Sequence, residues 1–153
     1  MPDSPVVADA SVLIAFQEIG HLELLQVLFQ ELVIPPAVAR EVRPSLASLP
    51  GWVTEMRPSS IHAAAQTLDS GEREAISLAL EISAKAVLLD DLPARRLAEE
   101  LHLPIIGSVG ILLVAKEHGY IELVRPYMDS MRATSLYLGD RVYDGILRAA
   151  GEA

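Results

Sequence analysis

The sequence predicts an α/β fold with a mostly parallel sheet covered by helices, and two observations carry that reading. Short apolar runs alternate along the chain with segments of helical period, the pattern of strands joined by crossover helices. One of those runs, Ala86-Val87-Leu88-Leu89, is unbroken, so it fits a strand buried on both faces. It stops on two adjacent carboxylates, Asp90 and Asp91, directly before a helical pattern that opens with Pro93 in its first turn. Open α/β sheets place their sites at this junction, the carboxyl end of a core strand. Side chains alternate along a strand, so Asp90 and Asp91 need not point the same way.

The elements follow in order. Pro5 to Ala8 is a strand ending on Asp9, and Ser11 is placed to cap the helix Val12–Phe16. Gly20 breaks that helix, and His21 to Gln30 is amphipathic and helical. Leu32–Ile34 is a second strand stopped by Pro35-Pro36. Ala37 to Val42 is a helix carrying Arg40 and Glu41. Pro44 to Pro50 is a loop, and Trp52 to Met56 alternates as an edge strand. A helix is expected around 61–68, then a strong one from Glu72 to Ser83 with Asp69 or Ser70 as its cap. After the strand that ends on the acid pair, a helix runs to His102. Pro104–Gly107 is a strand, and Ser108 caps the helix Val109 to His118, which Gly119 ends. Ile121–Ala133 and Gly139–Ala150 are the last two helices. The expected organisation is a single domain over 1–153, with the helices from about 121 packing on it or on a partner.

Composition narrows the function. At 153 residues the chain is long enough for a substantial core. Hydrophobic residues make up 51% and mean hydropathy is +0.33, so the core is large or an apolar face is left for a partner. The absence of cysteine excludes a disulfide framework, a thiolate zinc site and a cysteine nucleophile. The acidic start carries no basic segment of a secretory signal, and no apolar run approaches membrane-spanning length, so a cytoplasmic location is the expectation. A net charge of -9 argues against a passive nucleic-acid binder, because counterion release favours basic proteins. Negative charge gathered at a site that a divalent cation neutralises is compatible with the same number.

The acids fall at equivalent places. Asp9 and the pair Asp90-Asp91 end strands, Glu41 lies on a helix after a third, and Glu72 and Glu74 open the helix before the acid pair. In a parallel sheet these positions share one edge. Gathered there, carboxylates repel and raise one another's pKa. Magnesium and manganese prefer such oxygen ligands.

Each residue also has a plainer role. Asp9 could be only a helix cap, although Ser11 offers the same service. Glu41 alone would be a solvated residue. Glu72 and Glu74 favour their helix start through its dipole. Arg95 and Arg96 read as surface residues, and the four histidines show no metal spacing. Gly107-Ser108-Val109-Gly110 lacks the lysine of a P-loop. Ser108 would cap its helix or contact a phosphate there.

The stretches VVADASVLI, IPPAVAREV, GEREAISLALE and VLLDDLPARRLAEELHLPIIGSVGILLVAKEHG together resemble the PIN-domain ribonucleases, in particular the toxin-like branch related to VapC. The resemblance implies a three-layer α/β/α sandwich and metal-dependent endonuclease cleavage of RNA by an acidic cluster. By position it makes Asp9 the first acid, Glu41 the second, and Asp91, with Asp90 beside it, the late aspartate. The third acid is Glu72 by its GE dipeptide or Glu74 by helix register. The implied metal ligands are Asp9, Glu41, Glu72, Asp90 and Asp91 around Mg²⁺ or Mn²⁺, with Ser11, Ser108 and Arg95 toward the substrate. The expected partners are RNA, a second copy of the chain and a small antitoxin-like protein. The family often has Thr or Ser two residues before the late aspartate, and this chain has Leu89. That departure sustains an alternative, a catalytically silent binding module of the same fold. A phosphotransfer receiver is a further alternative, but its acid pair would follow the first strand.

Overall fold

A computed structural model describes residues 5–134 and 136–153, so the acidic start Met1–Ser4 lies outside it. Five strands form one sheet in the order β3-β2-β1-β4-β5: β1 Val6–Ala8, β2 Leu32–Ile34, β3 Val53–Glu55, β4 Ala86–Leu88 and β5 Ile105–Ile106. Every pairing is parallel. The chain enters at the centre, steps outward through β2 to β3, then crosses back so that β4 lies against the other side of β1. The order therefore reverses between β1 and β4, whose register pairs Ala8 with Leu88.

Alternation along these short strands builds three layers. Val6, Ala8, Ala86 and Leu88 face one core with Leu13 and Phe16 of α1 (Ala10–Glu18) and Ile111 and Leu112 of α6 (Ser108–Glu117). Val7, Val87 and Leu89 face a second core with Ala75, Ile76 and Leu78 of α4 (Ser70–Glu81) and Ala94 and Ala98 of α5 (Leu92–Glu100). With both faces covered, the strands read as continuous apolar runs. The helices α2 (Glu23–Phe29) and α3 (Pro36–Val42) pack on the first side. So do α7 (Arg125–Arg132) and α8 (Asp140–Ala149), through Met128, Met131, Tyr143 and Leu147. No helix among the described residues is long and apolar enough to cross a membrane.

Two helices differ from the sequence-based expectation. The segment 61–68 forms only a 3-10 turn at Ala63–Ala65. Of that turn only Ala65 is buried, so little apolar surface rewards a longer helix. The segment docks instead by polar contacts to α4, with the His62 amide donating to Ser77 Oγ at 2.9 Å and the Ser59 amide to Glu81 Oε1 at 2.7 Å. The helix expected from Ile121 begins at Arg125, with Pro126 in its first turn. Its start is fixed from the far end of the chain. Glu152 accepts from the Val124 amide at 2.7 Å and the Arg125 amide at 3.1 Å, and pairs with Lys116 Nζ at 2.9 Å. Ser11 and Ser108 likewise lie inside their helices, which are preceded by Asp9 and Gly107 at the cap positions.

Burial alone would push the Glu152 carboxyl up, but the Val124 amide, Lys116 and the Arg125 amide together hold it below its ordinary value. A depressed folded value gives stability that is present above the unfolded pKa and lost as pH falls through the folded one. Replacing Glu152 by Ala should therefore cost about 2 kcal/mol at pH 7, the scale of hydrogen bonds to a charged group. In urea melts the gap between the two proteins should narrow as pH drops below about 4. A gap that does not change with pH would show that the carboxylate charge plays no part.

Candidate active site

In open α/β sheets a reversal of strand order, here between β1 and β4, marks a crevice at the carboxyl ends of the strands, and acids collect at that edge. Asp9 follows β1 directly, and its amide donates to Leu88 O at 2.9 Å, which ties the two strand ends together. It occupies the cap position of α1 without closing a capping hydrogen bond, so the helix start alone does not account for it. Ser11 Oγ donates to Asp9 Oδ2 at 3.4 Å. Asp9 is 4% exposed. Burial, opposed by the Ala10 amide and Ser11 and reinforced by Glu41 and Asp90, raises its carboxyl to about 6.

Glu41 reaches the same place from α3. A methyl group built on Gly71 would run into Glu41 Oε1 and lie 3.4 Å from Asp9 Oδ1, so both carboxylates close on that glycine. Partial burial and then Asp69 raise Glu41. Glu72, in the first turn of α4, is raised to about 7 by burial, then by Asp9, Asp91 and Asp69.

The two acids after β4 divide. Asp91 Oδ2 accepts from the Ala94 amide at 3.1 Å and caps α5. Asp90 turns to α6, where Oδ1 accepts from the Ser108 amide at 2.7 Å and Oδ2 from Ser108 Oγ at 2.5 Å. Ser108 is fully buried, so its amide and hydroxyl serve Asp90 and are not presented to a phosphate. Arg95 Nη1 would lie 2.5 Å from a methyl group on Gly107, beside Asp90, at the edge of the crevice. Leu89 is fully buried in the second core, so packing rather than the crevice fixes its identity.

Glu72 and Glu74 face different surroundings. Glu74 Oε1 accepts from the Ala37 amide at 3.0 Å and holds the first turn of α3, whereas Glu72 feels Asp9 and Asp91. A further acid, read from the sequence only as a helix cap, lies near this group. Asp69 precedes α4 with no capping hydrogen bond and adds its charge to both Glu41 and Glu72. Its position before a helix reads as a cap, and nothing in the sequence shows that the capping bond is absent. The histidines take other roles, as His62 in the 3-10 turn and His118 on the Val114 carbonyl illustrate. A surface cavity of about 300 Å³ lined by Arg43, Leu46, Leu49 and Glu55 contains none of these acids.

No ion pair among the described residues involves Asp9, Glu41, Asp69, Glu72, Asp90 or Asp91. Nor do three such side chains among them converge into a ready ligand set for one metal ion. The donor chemistry nonetheless fits a hard divalent cation, since several carboxylates share one edge without a basic partner.

A five-stranded parallel sheet with acids at its point of reversal defines an α/β protein with an acidic crevice. The PIN domain family model, DUF3368, matches residues 5–152, and the chain belongs to that family. PIN domains are generally nucleases, which gives the chain a nuclease-type, hydrolytic character. No curated protein matches the chain.

For the protein in EDTA, two substitutions should stabilise and one should destabilise. A carboxylate whose folded pKa is raised opposes folding once ionised. The penalty grows as pH climbs from the unfolded value, near 4, and saturates above the folded one. Asp9→Asn should then be more stable than the wild type at pH 7 by about 2 kcal/mol, and equal to it below about pH 4. Glu72→Gln should gain less, roughly 1 kcal/mol, because water screens a half-exposed group. Glu74→Ala should instead lose about 1 kcal/mol by uncapping α3. Chemical melts across pH check all three, and an Asp9→Asn protein less stable than wild type at pH 7 would contradict the repulsion.

Proposed function

We propose that this PIN-domain protein is a metal-dependent endoribonuclease of the toxin-like branch related to VapC. The observation that carries the reading is Asp9, buried at the strand reversal beside Glu41 and Glu72 with no basic partner among the described residues. In this reading Asp9, Glu41, Glu72 and Asp91 hold Mg²⁺ or Mn²⁺, and Asp90, fixed by Ser108, borders the set. The cation supplies water activation and stabilisation of the leaving oxygen in phosphodiester hydrolysis. The protein's own part is placement. The β1–β4 register sets the spacing between Asp9 and the late aspartates, Glu74 holds the α3 start that carries Glu41, and Asp91 also fixes the start of α5. Asp69 adds a further carboxylate at the rim. Arg95, which makes no ion pair among the described residues, is the side chain placed for a substrate phosphate.

A second copy of the chain and a small antitoxin-like protein belong to the same proposal. It is supported by apolar side chains left at the surface. Leu92, next to Asp91, is 56% exposed, and Tyr137 and Val142 are also open. A cytoplasmic location accords with this role.

Cleavage of a panel of single-stranded RNAs tests the activity. Mn²⁺ or Mg²⁺ should support it and EDTA should abolish it. Asp9→Asn should lower the rate by about 100-fold or more, at least the loss seen on removing groups that support metal ligands, with an unchanged circular dichroism spectrum. Full activity in Asp9→Asn would overturn the assignment. RNA binding by the wild type without cleavage would favour the silent binding module.

A further inference from the structure

We propose that Gly71 is a positioning residue, kept free of a side chain so that the Glu41 carboxylate can close on Asp9. This rests on the metal-dependent nuclease reading above. Gly71 is the second residue of α4 and is buried. Its backbone is not in the left-handed region, so no conformational demand requires glycine there. Helix propensity favours alanine at such a position. What a methyl group would meet explains the exception. The three nearest atoms are Glu41 Oε1, then the Glu41 carboxyl carbon and Asp9 Oδ1, both at 3.4 Å. All three belong to the two acids, and none is backbone or apolar packing.

The collision therefore has a specific outcome. Glu41 is exposed, and the atom in the way is the far end of a flexible side chain. A methyl group at position 71 turns that carboxylate away from Asp9 and leaves the fold in place. Local preference and site geometry disagree at this residue, and the geometry prevails. Glycine at position 71 joins α4 closely to α3 and lets acids from two helices and one strand end share a single crevice.

The test separates position from stability. In EDTA, Gly71→Ala should melt at the wild-type temperature or up to about 2 °C above it. Its Mn²⁺ affinity, measured by electron paramagnetic resonance, should fall. Its Mn²⁺-dependent cleavage of a single-stranded RNA oligonucleotide should drop by about 100-fold, as for a small displacement of a positioned group. In a Glu41→Ala background the same substitution should change Mn²⁺ affinity no further. Wild-type affinity and cleavage in Gly71→Ala would overturn the inference. So would a melting temperature lowered by several degrees in both backgrounds, which would mark Gly71 as a packing residue. A wild-type protein that neither binds Mn²⁺ nor cleaves RNA would overturn the nuclease reading itself, and this inference with it.

Discussion

The hydrogen bond from the Asp9 amide to the Leu88 carbonyl, at 2.9 Å, joins the carboxyl ends of the two strands on which the crevice depends. It continues a register that sets Val6, Val7 and Ala8 opposite Ala86, Val87 and Leu88. One residue beyond that register the chain leaves the sheet after β1, whereas after β4 the Leu89 amide still donates to Ile106 O at 3.0 Å. Asp9 then starts α1, while Leu89 stays in the core and Asp90 and Asp91 turn outward. A slip of one residue would exchange every inward side chain for an outward one. It would also carry Asp9 away from Glu41. The burial of Val7, Val87 and Leu89 under α4 and α5 makes such a slip costly, so the packing of the second core also sets the spacing of the acids.

The acidic crevice is costly to the fold. Asp9 is nearly buried, yet its charge faces other carboxylates and no basic side chain among the described residues pairs with it. Burial and repulsion both disfavour ionisation, so the folded chain holds these groups with a penalty that rises with pH. Two apolar cores, one on each face of the sheet, supply the stability that tolerates it. Hydrogen bonds restrain acids at the edge of the group. Ser108 fixes Asp90, and the Ala94 amide fixes Asp91. Charge that lacks a basic partner, beside charge held by hydrogen bonds, is an arrangement in which local choices oppose stability.

Much of this was legible in the sequence, for identifiable reasons. The strands announced themselves because an unbroken apolar run such as Ala86–Leu89 has few other homes. The position of Asp9 and the acid pair at strand ends was legible because they end such runs, and the helix that carries Glu41 was legible because Pro35-Pro36 marks where it begins. The division of labour between Glu72 and Glu74 was not legible. It depends on where the start of α3 lies in space, and Glu74 reaches Ala37 across 37 positions of sequence. The nearness of Asp69 to Glu41 and Glu72 was hidden because its place before a helix reads as a cap until the capping bond is shown to be missing. Ser108 was read as a cap or a phosphate contact because the partner that takes both its polar groups lies 18 residues earlier. The helix expected near 61–68 failed because three alanines satisfy helix propensity while giving the core little to bury.

Alone, Asp9 and Glu72 oppose folding, and on the proposed reading a divalent cation relieves them. The most direct measurement is the melting temperature of the wild type and Asp9→Asn, each in EDTA and in millimolar Mn²⁺. Binding to the folded state should stabilise the wild type by about 2.7 kcal/mol at a hundredfold excess over Kd, and the variant far less. The account predicts a crossing, with the variant melting higher in EDTA and the wild type melting higher in Mn²⁺. A wild type that melts at one temperature in both conditions, with the variant melting lower throughout, would contradict it.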